Sequence, residues 1–400
     1  MNTFDADVVM VGGGPSGLAA ACALAPHGRS AVIVDEALDH TLASRAPTVH
    51  AGTLGVLARI GCAEELIAEG TRAGTFRMRN RTTVLTTQPM HSLPGPYRFA
   101  VIIPQHRTEA ILRARAETLG VRFVKGRASG VVQDGTGVRI LLDGGGVVTG
   151  RFLVAADGMR STIRQAVGIP YPETAASRGD REPMLIADVR PGQVPEEPVI
   201  VMSSGALVLL PLPGGILRII MNAAPEAGVS DLEILRREFL ARRPKGMDFE
   251  VGEVVWLSRF NVTHRLADTF RSGRVLLAGD AGHVHSPAGG QGMNLGIRDG
   301  VYAAEALDRS LRAEERGEPW EAPLDAYAQD RREAAAAVIG LTNRMMSMLM
   351  APPVARPLRD LMLWTLSHTA APRKQALALS GLLDTGPVFV DAPAGAMTNS

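Results

Sequence analysis

The hydrophobic pattern at the start of the chain alternates between short apolar runs and a stretch of helix formers. Residues 8–11 are apolar and lead into glycines, residues 15–24 are rich in Ala and Leu, and residues 31–34 form a second apolar run. Strand, glycine turn, helix and strand in this order predict a βαβ unit. A parallel sheet follows from that unit.

The rest of the chain changes pattern twice. Residues 121–157 alternate apolar runs with Asp-Gly and Gly-Gly turns, which predicts a β-meander, and residues 176–265 are rich in strands and proline. One helix is predicted there, near residues 230–242. Beyond residue 320 the pattern is helical and ends in a polar tail.

Composition narrows the class of partner and the compartment. Lys and Arg number 42 against 41 Asp and Glu, so the charge balance gives no sign of nucleic-acid binding, and a small-molecule partner is expected. The two cysteines, Cys22 and Cys62, are expected to be buried and inert in a reducing compartment. No secretory signal and no membrane span are predicted, which favours the cytoplasm.

The first chemical signal is the glycine-rich turn after the first strand. Gly12, Gly14 and Gly17 satisfy G-x-G-x-x-G, with Pro15 and Ser16 between them. The first glycine permits a tight turn, the second lets the backbone approach a pyrophosphate, and the third lets helix and strand pack closely. Asp35 ends the second strand, where an acid can bind the ribose hydroxyls of an adenosine. A dinucleotide is predicted, and both NAD(P) and FAD fit this motif.

A second signal lies near residue 280. Asp280, His283 and His285 fall within six positions, so a metal site or an acid/base pair must be considered. The surrounding stretch, residues 273–300, reads as a strand, a Gly-Asp turn, a loop and a helix, and residues 154–164 repeat the strand followed by Asp-Gly. An NAD enzyme needs one such loop, whereas a flavin extended across a sheet needs several.

These motifs, together with SRAPTVHAGTLGVLARIG (44–61) and IPQHRTEAIL (103–112), resemble the FAD-dependent aromatic hydroxylases, the single-component flavoprotein monooxygenases, and most closely their phenol and polyketide branch. The resemblance implies an α/β fold: a Rossmann-like FAD-binding domain with an inserted β-sheet substrate domain and a C-terminal helical segment. The implied boundaries are 1–70, 98–175 and 266–320 for the FAD-binding domain, 71–97 and 176–265 for the substrate domain, and 321–400 for C-terminal helices and tail, without a thioredoxin-like domain.

The resemblance also implies roles along an extended FAD. The glycine turn would hold the pyrophosphate, Arg45 and Gln105 would lie beside the ribityl phosphate, and Asp157 would lie near the pyrophosphate and affect NADPH use. Asp280 would bind a ribityl hydroxyl, and residues 287–294 would lie along the isoalloxazine, which makes His283 and His285 scaffold residues and not metal ligands. The implied cofactor-binding residues are Gly12, Gly14, Pro15, Ser16, Gly17, Asp35, Glu36, Arg45, Gln105, Asp157, Asp280, Pro287, Gly290, Gly292, Met293 and Asn294.

Several positions depart from the usual family pattern. Glu36 stands where a basic residue commonly follows the ribose acid, and Gly282 and Gly300 each replace a usual Ala. Leu295 replaces a common Thr, and Gly55 a frequent Glu. Glu36 is the departure that bears on the adenine end of the cofactor.

In this family NAD(P)H reduces the flavin, O₂ adds at C4a, and the hydroperoxide hydroxylates an electron-rich aromatic substrate. A helix that begins near residues 290–293 would point its N–H groups at the flavin and stabilise its reduced form. The sequence does not single out a catalytic base among His50, His91, His106 and His264. Met345, Met346, Met348 and Met350 could line a pocket, but core packing is favoured. A monomer or homodimer is expected.

Other reactions on the same fold remain open. A Baeyer–Villiger-type or decarboxylating monooxygenase and a flavin-dependent reductase all fit the cofactor motifs. A halogenase is disfavoured because the W-x-W-x-I-P motif is absent from the sequence. A non-enzymatic flavin-binding protein is disfavoured by the presence of both aspartate motifs.

Overall fold

The computed structural model describes residues 4–37, 46–174 and 183–389. Its strands are β1 (Ala6–Val11), β2 (Ala31–Asp35), β3 (Thr48–Val49), β4 (Thr71–Ala73), β5 (Thr75–Arg79), β6 (Val84–Pro89), β7 (Ala100–Ile102), β8 (Arg122–Lys125), β9 (Ala128–Gln133), β10 (Val138–Leu142), β11 (Val147–Ala155), β12 (Pro183–Arg190), β13 (Val199–Met202), β14 (Ala206–Leu212), β15 (Ile216–Asn222), β16 (Glu253–Asn261), β17 (Arg265–Leu266), β18 (Arg271–Ser272), β19 (Val275–Leu277) and β20 (His283–Val284). Its helices are α1 (Pro15–Leu24), α2 (Ala51–Arg59), α3 (Ala63–Glu69), α4 (Gln105–Thr118), α5 (Thr162–Ala166), α6 (Asp231–Arg242), α7 (Gly292–Glu315), α8 (Glu321–Leu349), α9 (Arg356–Ser367) and α10 (Ala371–Leu379).

The predicted βαβ unit forms the centre of the first sheet. Strand β1 pairs in parallel with β2 and β11, and the order of the main sheet is β18-β19-β11-β1-β2-β8, with β10 and β9 added beside β11. The central strands are fully buried, which is why their sequences are continuous apolar runs. The carboxyl ends of β1, β2, β11 and β19 lead into the glycine and aspartate motifs, so the parallel sheet gathers these motifs at one edge.

A second sheet of seven strands has the order β16-β12-β15-β14-β13-β5-β6. All neighbouring strands are antiparallel except β13 and β5, which pair in parallel. This pair joins the hairpin of β5 and β6 to strands from a much later part of the chain. Helix α6 covers one face of this sheet and starts with a capping box in which Ser230 and Glu233 exchange hydrogen bonds. The other face is turned towards the cavity described below.

Helices α1 and α7 cross closely, and the glycines of α7 make this contact possible. A Cβ atom at Gly300 would overlap the carbonyl oxygen of Ser16, and one at Gly296 would lie 2.5 Å from the Ser16 Oγ. Glycine at position 300, where the family usually has Ala, therefore fits the close approach of the two helices. Gly282, the second departure, faces the ring of Phe270, which fills the space that an alanine methyl group would take.

Candidate active site

A cavity of about 600 Å³ lies between the glycine turns of the first sheet and one face of the second sheet. The predicted cofactor residues that line it are Gly14, Pro15, Ser16, Gln105, Asp280, Pro287, Gly290, Gly292 and Met293. Six further predicted cofactor residues do not belong to its described lining: Gly12, Gly17, Asp35, Glu36, Asp157 and Asn294. Arg45 lies outside the described residues.

The glycine turn is shaped as a cradle. Gly12 has φ +109°, and a Cβ there would overlap the Ala156 carbonyl, whereas a Cβ at Gly17 would overlap the Gly12 carbonyl. Gly14 differs, because a Cβ there would meet no described atom within 4 Å and the residue lines the cavity. Helix α1 begins at Pro15, so its free N–H groups and positive end face that space, as an anionic pyrophosphate requires.

The Asp35 carboxylate lies beside this turn at the end of β2. It accepts hydrogen bonds from the backbone N–H of Gly13 and, at 2.7 Å, of Ala37. These bonds fix the carboxylate where it can also accept from ribose hydroxyls. Glu36 is exposed, and its carboxylate lies 4.0 Å from the guanidinium of Arg127.

The two remaining acids occupy different environments. Asp157 is held by the backbone N–H of Ile163 at 3.2 Å, and burial raises the pKa of its carboxyl above the usual value in spite of hydrogen bonds from Ser161 and this backbone. Asp280 is exposed and lines the cavity, and its carbonyl accepts a hydrogen bond from the Tyr171 hydroxyl at 3.0 Å. Gln105 of α4 also lines the cavity. Its side-chain amide accepts a hydrogen bond from the Ala46 N–H and donates one to the Glu109 carboxylate.

Asn294 holds the loop of residues 287–293 in place. Its amide donates to the carbonyls of Thr48 and Gly290, both at 2.7 Å, and accepts from the backbone N–H of His50 at 2.8 Å. All of these partners are backbone groups, and Asn294 is fully buried. Its amide therefore serves the shape of the loop, which the motif alone did not reveal.

The start of α7 faces the cavity without obstruction. A Cβ at Gly292 would meet only the His285 ring, at 4.0 Å, and the N–H groups of the first turn have no helical partners. Gly289 and Gly290 have φ of +78° and +63°, conformations that L side chains rarely adopt. The expected helix start near residues 290–293 is thus found at Gly292.

His283 and His285 lie on the same side of the chain because β20 is extended. Their rings stack with centroids 6.0 Å apart, as alternate residues of an extended chain can. His283 bonds to the buried Asp299 at 2.8 Å. No group of three or more His, Cys, Asp or Glu side chains among residues 4–37, 46–174 and 183–389 could hold a metal ion.

Two histidines next to the loop of residues 287–293 are held neutral. Burial, opposed by a hydrogen bond to the Gly289 carbonyl, lowers the pKa of His50 to about 4. Burial and the neighbouring His283 likewise lower the pKa of His285 to about 4, and its ring bonds to the Ser286 carbonyl at 2.9 Å. The free-energy cost of protonating either ring makes both unsuited to carry charge at pH 7.

The lowered pKa values of His50 and His285 predict that the free energy of unfolding depends on pH. Their pKa values of about 4 in the folded protein lie below the usual 6.5, so the unfolded chain binds more protons below pH 6.5 and stability falls as the pH drops towards 4. Each should lower the free energy of unfolding by about 2 kcal/mol between pH 7 and pH 5. Urea unfolding at pH 7 and pH 5 measures this change. In H285Q the difference in the free energy of unfolding between the two pH values should be about 2 kcal/mol smaller than in the wild type. The same difference in both proteins would contradict a lowered pKa for His285.

The wall opposite the glycine turns is mainly apolar. Alternate residues of the seven-stranded sheet face the cavity, including Phe76, Ile186 and Leu210. Met345 and Met346 of α8 also line it, which corrects the expectation that the methionine-rich helix only packs in the core. Met348 and Met350 do pack in the core, against the apolar cluster around Met345. The helical spacing alone could not tell which methionines would face a cavity formed by distant strands.

The C-terminal segment contacts the loop of residues 287–293 and the buried arginines of α7 and α8, which the sequence pattern did not indicate. The Asp384 carboxylate accepts hydrogen bonds from Arg331 and pairs with Arg298 at 2.9 Å. The Gln291 amide donates to the Leu379 carbonyl at 3.0 Å. Within the described residues no single helix is long and apolar enough to cross a membrane. One bent pair, α8 with residues 353–367, meets the length and composition requirement only as a pair, across a 90° bend.

Comparison with known proteins agrees with this architecture. The family described as "FAD binding domain" matches residues 5–342. Rifampicin monooxygenase of Streptomyces venezuelae is 32% identical over 372 residues, covering 89% of this chain and 74% of the relative. The 12-dehydrotetracycline 5-monooxygenase/anhydrotetracycline 6-monooxygenase of Streptomyces rimosus is 31% identical, covering 94% and 76%.

Solved structures give the same result. Anhydrotetracycline hydroxylase from Streptomyces rimosus superposes with a TM-score of 0.79 at 31% identity, covering 97% of this chain and 78% of that one. The p-nitrophenol 4-monooxygenase from Pseudomonas putida has a TM-score of 0.81 at 22% identity, covering 95% and 99%, and shows the shared fold.

Fold and site thus define a flavoprotein of the α/β class, with FAD as its cofactor. The chain belongs to the FAD-binding family of aromatic hydroxylases, as the resemblance implied, and is an FAD-dependent monooxygenase.

Proposed function

We propose that the protein hydroxylates a multi-ring, oxygen-bearing aromatic compound, with NAD(P)H as reductant and O₂ as oxidant. The observation that carries this proposal is the position of the cavity, which has the cofactor turns on one side and an apolar sheet face on the other. Two of the relatives are named as rifampicin monooxygenase and anhydrotetracycline monooxygenase, which supports a multi-ring substrate.

The positions of the cavity-lining residues support a proposed role for each along FAD. The turn at Gly14 and the start of α1 would hold the pyrophosphate, and Asp35 would hold the adenine ribose. Gln105 and Asp280 would contact the ribityl chain, and residues 287–293 would lie beside the flavin ring. The open space at Gly14 and Gly292 and the donors around it fit FAD in this orientation.

When bound, the flavin supplies the redox chemistry by taking a hydride from NAD(P)H and passing one atom of O₂ to the substrate. The protein contributes position and electrostatics. The N-terminal N–H groups of α7 stabilise negative charge beside the loop, and Asn294 keeps that loop rigid. Phe76, Leu210 and Met345 exclude water and orient an apolar ring system.

The proposal is tested by measuring NADPH oxidation by the FAD-loaded protein with a panel of phenols, naphthols and hydroxylated anthraquinones. We expect at least one compound to stimulate NADPH and O₂ consumption and to give a product heavier by one oxygen atom. Nuclear magnetic resonance of the product distinguishes a new ring hydroxyl from oxygen inserted next to a ketone. Stimulated oxidation that yields only hydrogen peroxide across the whole panel would contradict aromatic hydroxylation of these compounds.

A further inference from the structure

One face of the seven-stranded sheet forms the substrate side of the cavity. Two of the described lining residues on its strands are polar amides: the buried Gln88 of β6 and the exposed Asn261, the last residue of β16. Because side chains alternate along a strand, every second residue of each strand points to this side. The residues that do so are apolar in β5, β12, β13 and β14, among them Met78, Ile186, Ile200 and Val208. On the edge strand β6, the corresponding cavity-lining residue is Gln88.

Gln88 is poorly satisfied in this position. It lies opposite Phe76 in the antiparallel pair of β5 and β6, and its exposed fraction is only 2%. Across the described part of the chain, its side chain makes one hydrogen bond, from Nε2 to the Met78 sulfur at 3.6 Å. A thioether is a weak acceptor, so the N–H is weakly satisfied. No described residue donates a hydrogen bond to the amide oxygen.

A buried amide in this state requires a reason, because burial without partners is unfavourable and a leucine or methionine would pack against the same neighbours without that cost. The amide oxygen of Gln88 can accept a hydrogen bond, and its N–H can donate to an acceptor better than the Met78 sulfur. A substrate hydroxyl can donate to the amide oxygen or accept from the N–H. A ring carbonyl can accept from the N–H. Both groups occur on oxygen-bearing aromatic compounds.

We infer that Gln88 determines substrate specificity by hydrogen bonding to an oxygen substituent, a hydroxyl or a carbonyl, on the aromatic ring system in the cavity. This inference rests on the proposed function, because it takes the cavity as the substrate site. It adds that the protein selects ring systems with oxygen at the edge that faces β6, and discriminates against the same ring systems without it.

The test measures binding to the FAD-loaded protein from the change in the flavin absorption spectrum, with 1,5-dihydroxynaphthalene and naphthalene as probes. The diol carries oxygen at opposite ends, so one hydroxyl reaches the sheet whichever end lies at the flavin. In the wild type we expect the diol to bind more tightly than naphthalene. In Q88L this preference should fall about tenfold, while the affinity for naphthalene stays the same or improves.

The matched control is Thr86→Val. Thr86 lies two residues away on the same strand and is also buried, but it does not belong to the described lining of this cavity. T86V should keep the wild-type preference, and Q88M should repeat the result of Q88L if leucine disturbs the strand. An unchanged preference in both Gln88 variants would overturn the inference, as would failure of the diol to bind the wild type.

The proposed function can fail separately from this inference. If no compound is hydroxylated but the diol preference depends on Gln88, the recognition site stands and the reaction assigned to it is wrong. If hydroxylation occurs and the preference is independent of Gln88, the reaction stands and the specificity role falls.

Discussion

Replacing Asp384 with alanine is expected to lower the free energy of unfolding by about 3–5 kcal/mol, because it leaves the buried guanidinium of Arg298 without a paired carboxylate. Arg331, in contrast, keeps Asp299 and Asp330 nearby. Arg298 and Arg331 have side-chain exposures of 2% and 0%, and each has a nitrogen 2.9 Å from the Asp384 carboxylate. Burial lowers the pKa of Arg298, and Asp384 is the main group that opposes this effect. Without the carboxylate, Arg298 would be a buried charge held mainly by backbone carbonyls.

Urea unfolding of the apoprotein measures this effect. Asp325→Ala is the matched control, because Asp325 also pairs with an arginine, Arg271, but its side chain is 65% exposed. That variant should lose less than about 1 kcal/mol, as exposed ion pairs do. If both variants lost the same amount, the buried cluster would not be a main source of stability.

The same substitution should affect FAD binding. The segment of residues 379–384 contacts the cofactor loop through the hydrogen bond from Gln291 to the Leu379 carbonyl, and contacts α2 through the bond from the Gly52 N–H to the Ser380 carbonyl. D384A loosens that segment, so FAD affinity should fall along with stability. The effect on FAD should be smaller than that of a substitution inside the cradle, because no atom of Asp384 lies in the described cavity wall.

The cofactor half of the site could be predicted from sequence because its geometry is local. Gly12, Gly14 and Gly17 have conformations and contacts set by a strand, a turn and a helix that are consecutive in the chain. Such a unit can be recognised from spacing alone. The βαβ order likewise fixed the parallel pairing of β1 and β2.

The substrate half could not be predicted in the same way. Its wall combines β5 and β6 with strands that lie more than 90 residues later, and which side faces the cavity depends on strand register. A shift of one residue would turn Gln88 away from the cavity. The Met345 side chain and the Asp384 ion pairs depend in turn on where α8 and the C-terminal segment pack. These are contacts of tertiary structure, which helical periodicity leaves undetermined.

The cradle itself gives the second large expected effect. Gly14→Val should reduce FAD affinity roughly 100-fold while leaving the apoprotein folded, because the new side chain enters the space assigned to the pyrophosphate. Two observations indicate that Gly14→Val leaves the fold of the apoprotein intact. Gly14 has φ −77° and ψ −177°, a conformation that any residue can adopt, and no described atom lies within 4 Å of the added Cβ.

Gly55→Val is the matched control for that substitution. A Cβ at Gly55 also meets no described atom within 4 Å, but Gly55 lies in α2, outside the described cavity lining. Fluorescence titration of each apoprotein with FAD, beside urea unfolding without FAD, should show G55V binding FAD like the wild type and G14V unfolding like the wild type. Wild-type FAD affinity in G14V would mean that the pyrophosphate lies elsewhere. A large loss of stability in apo G14V would mean that the open space at Gly14 is needed for folding. A space that only binds a ligand can hold a valine side chain in the apoprotein without a change in the free energy of unfolding.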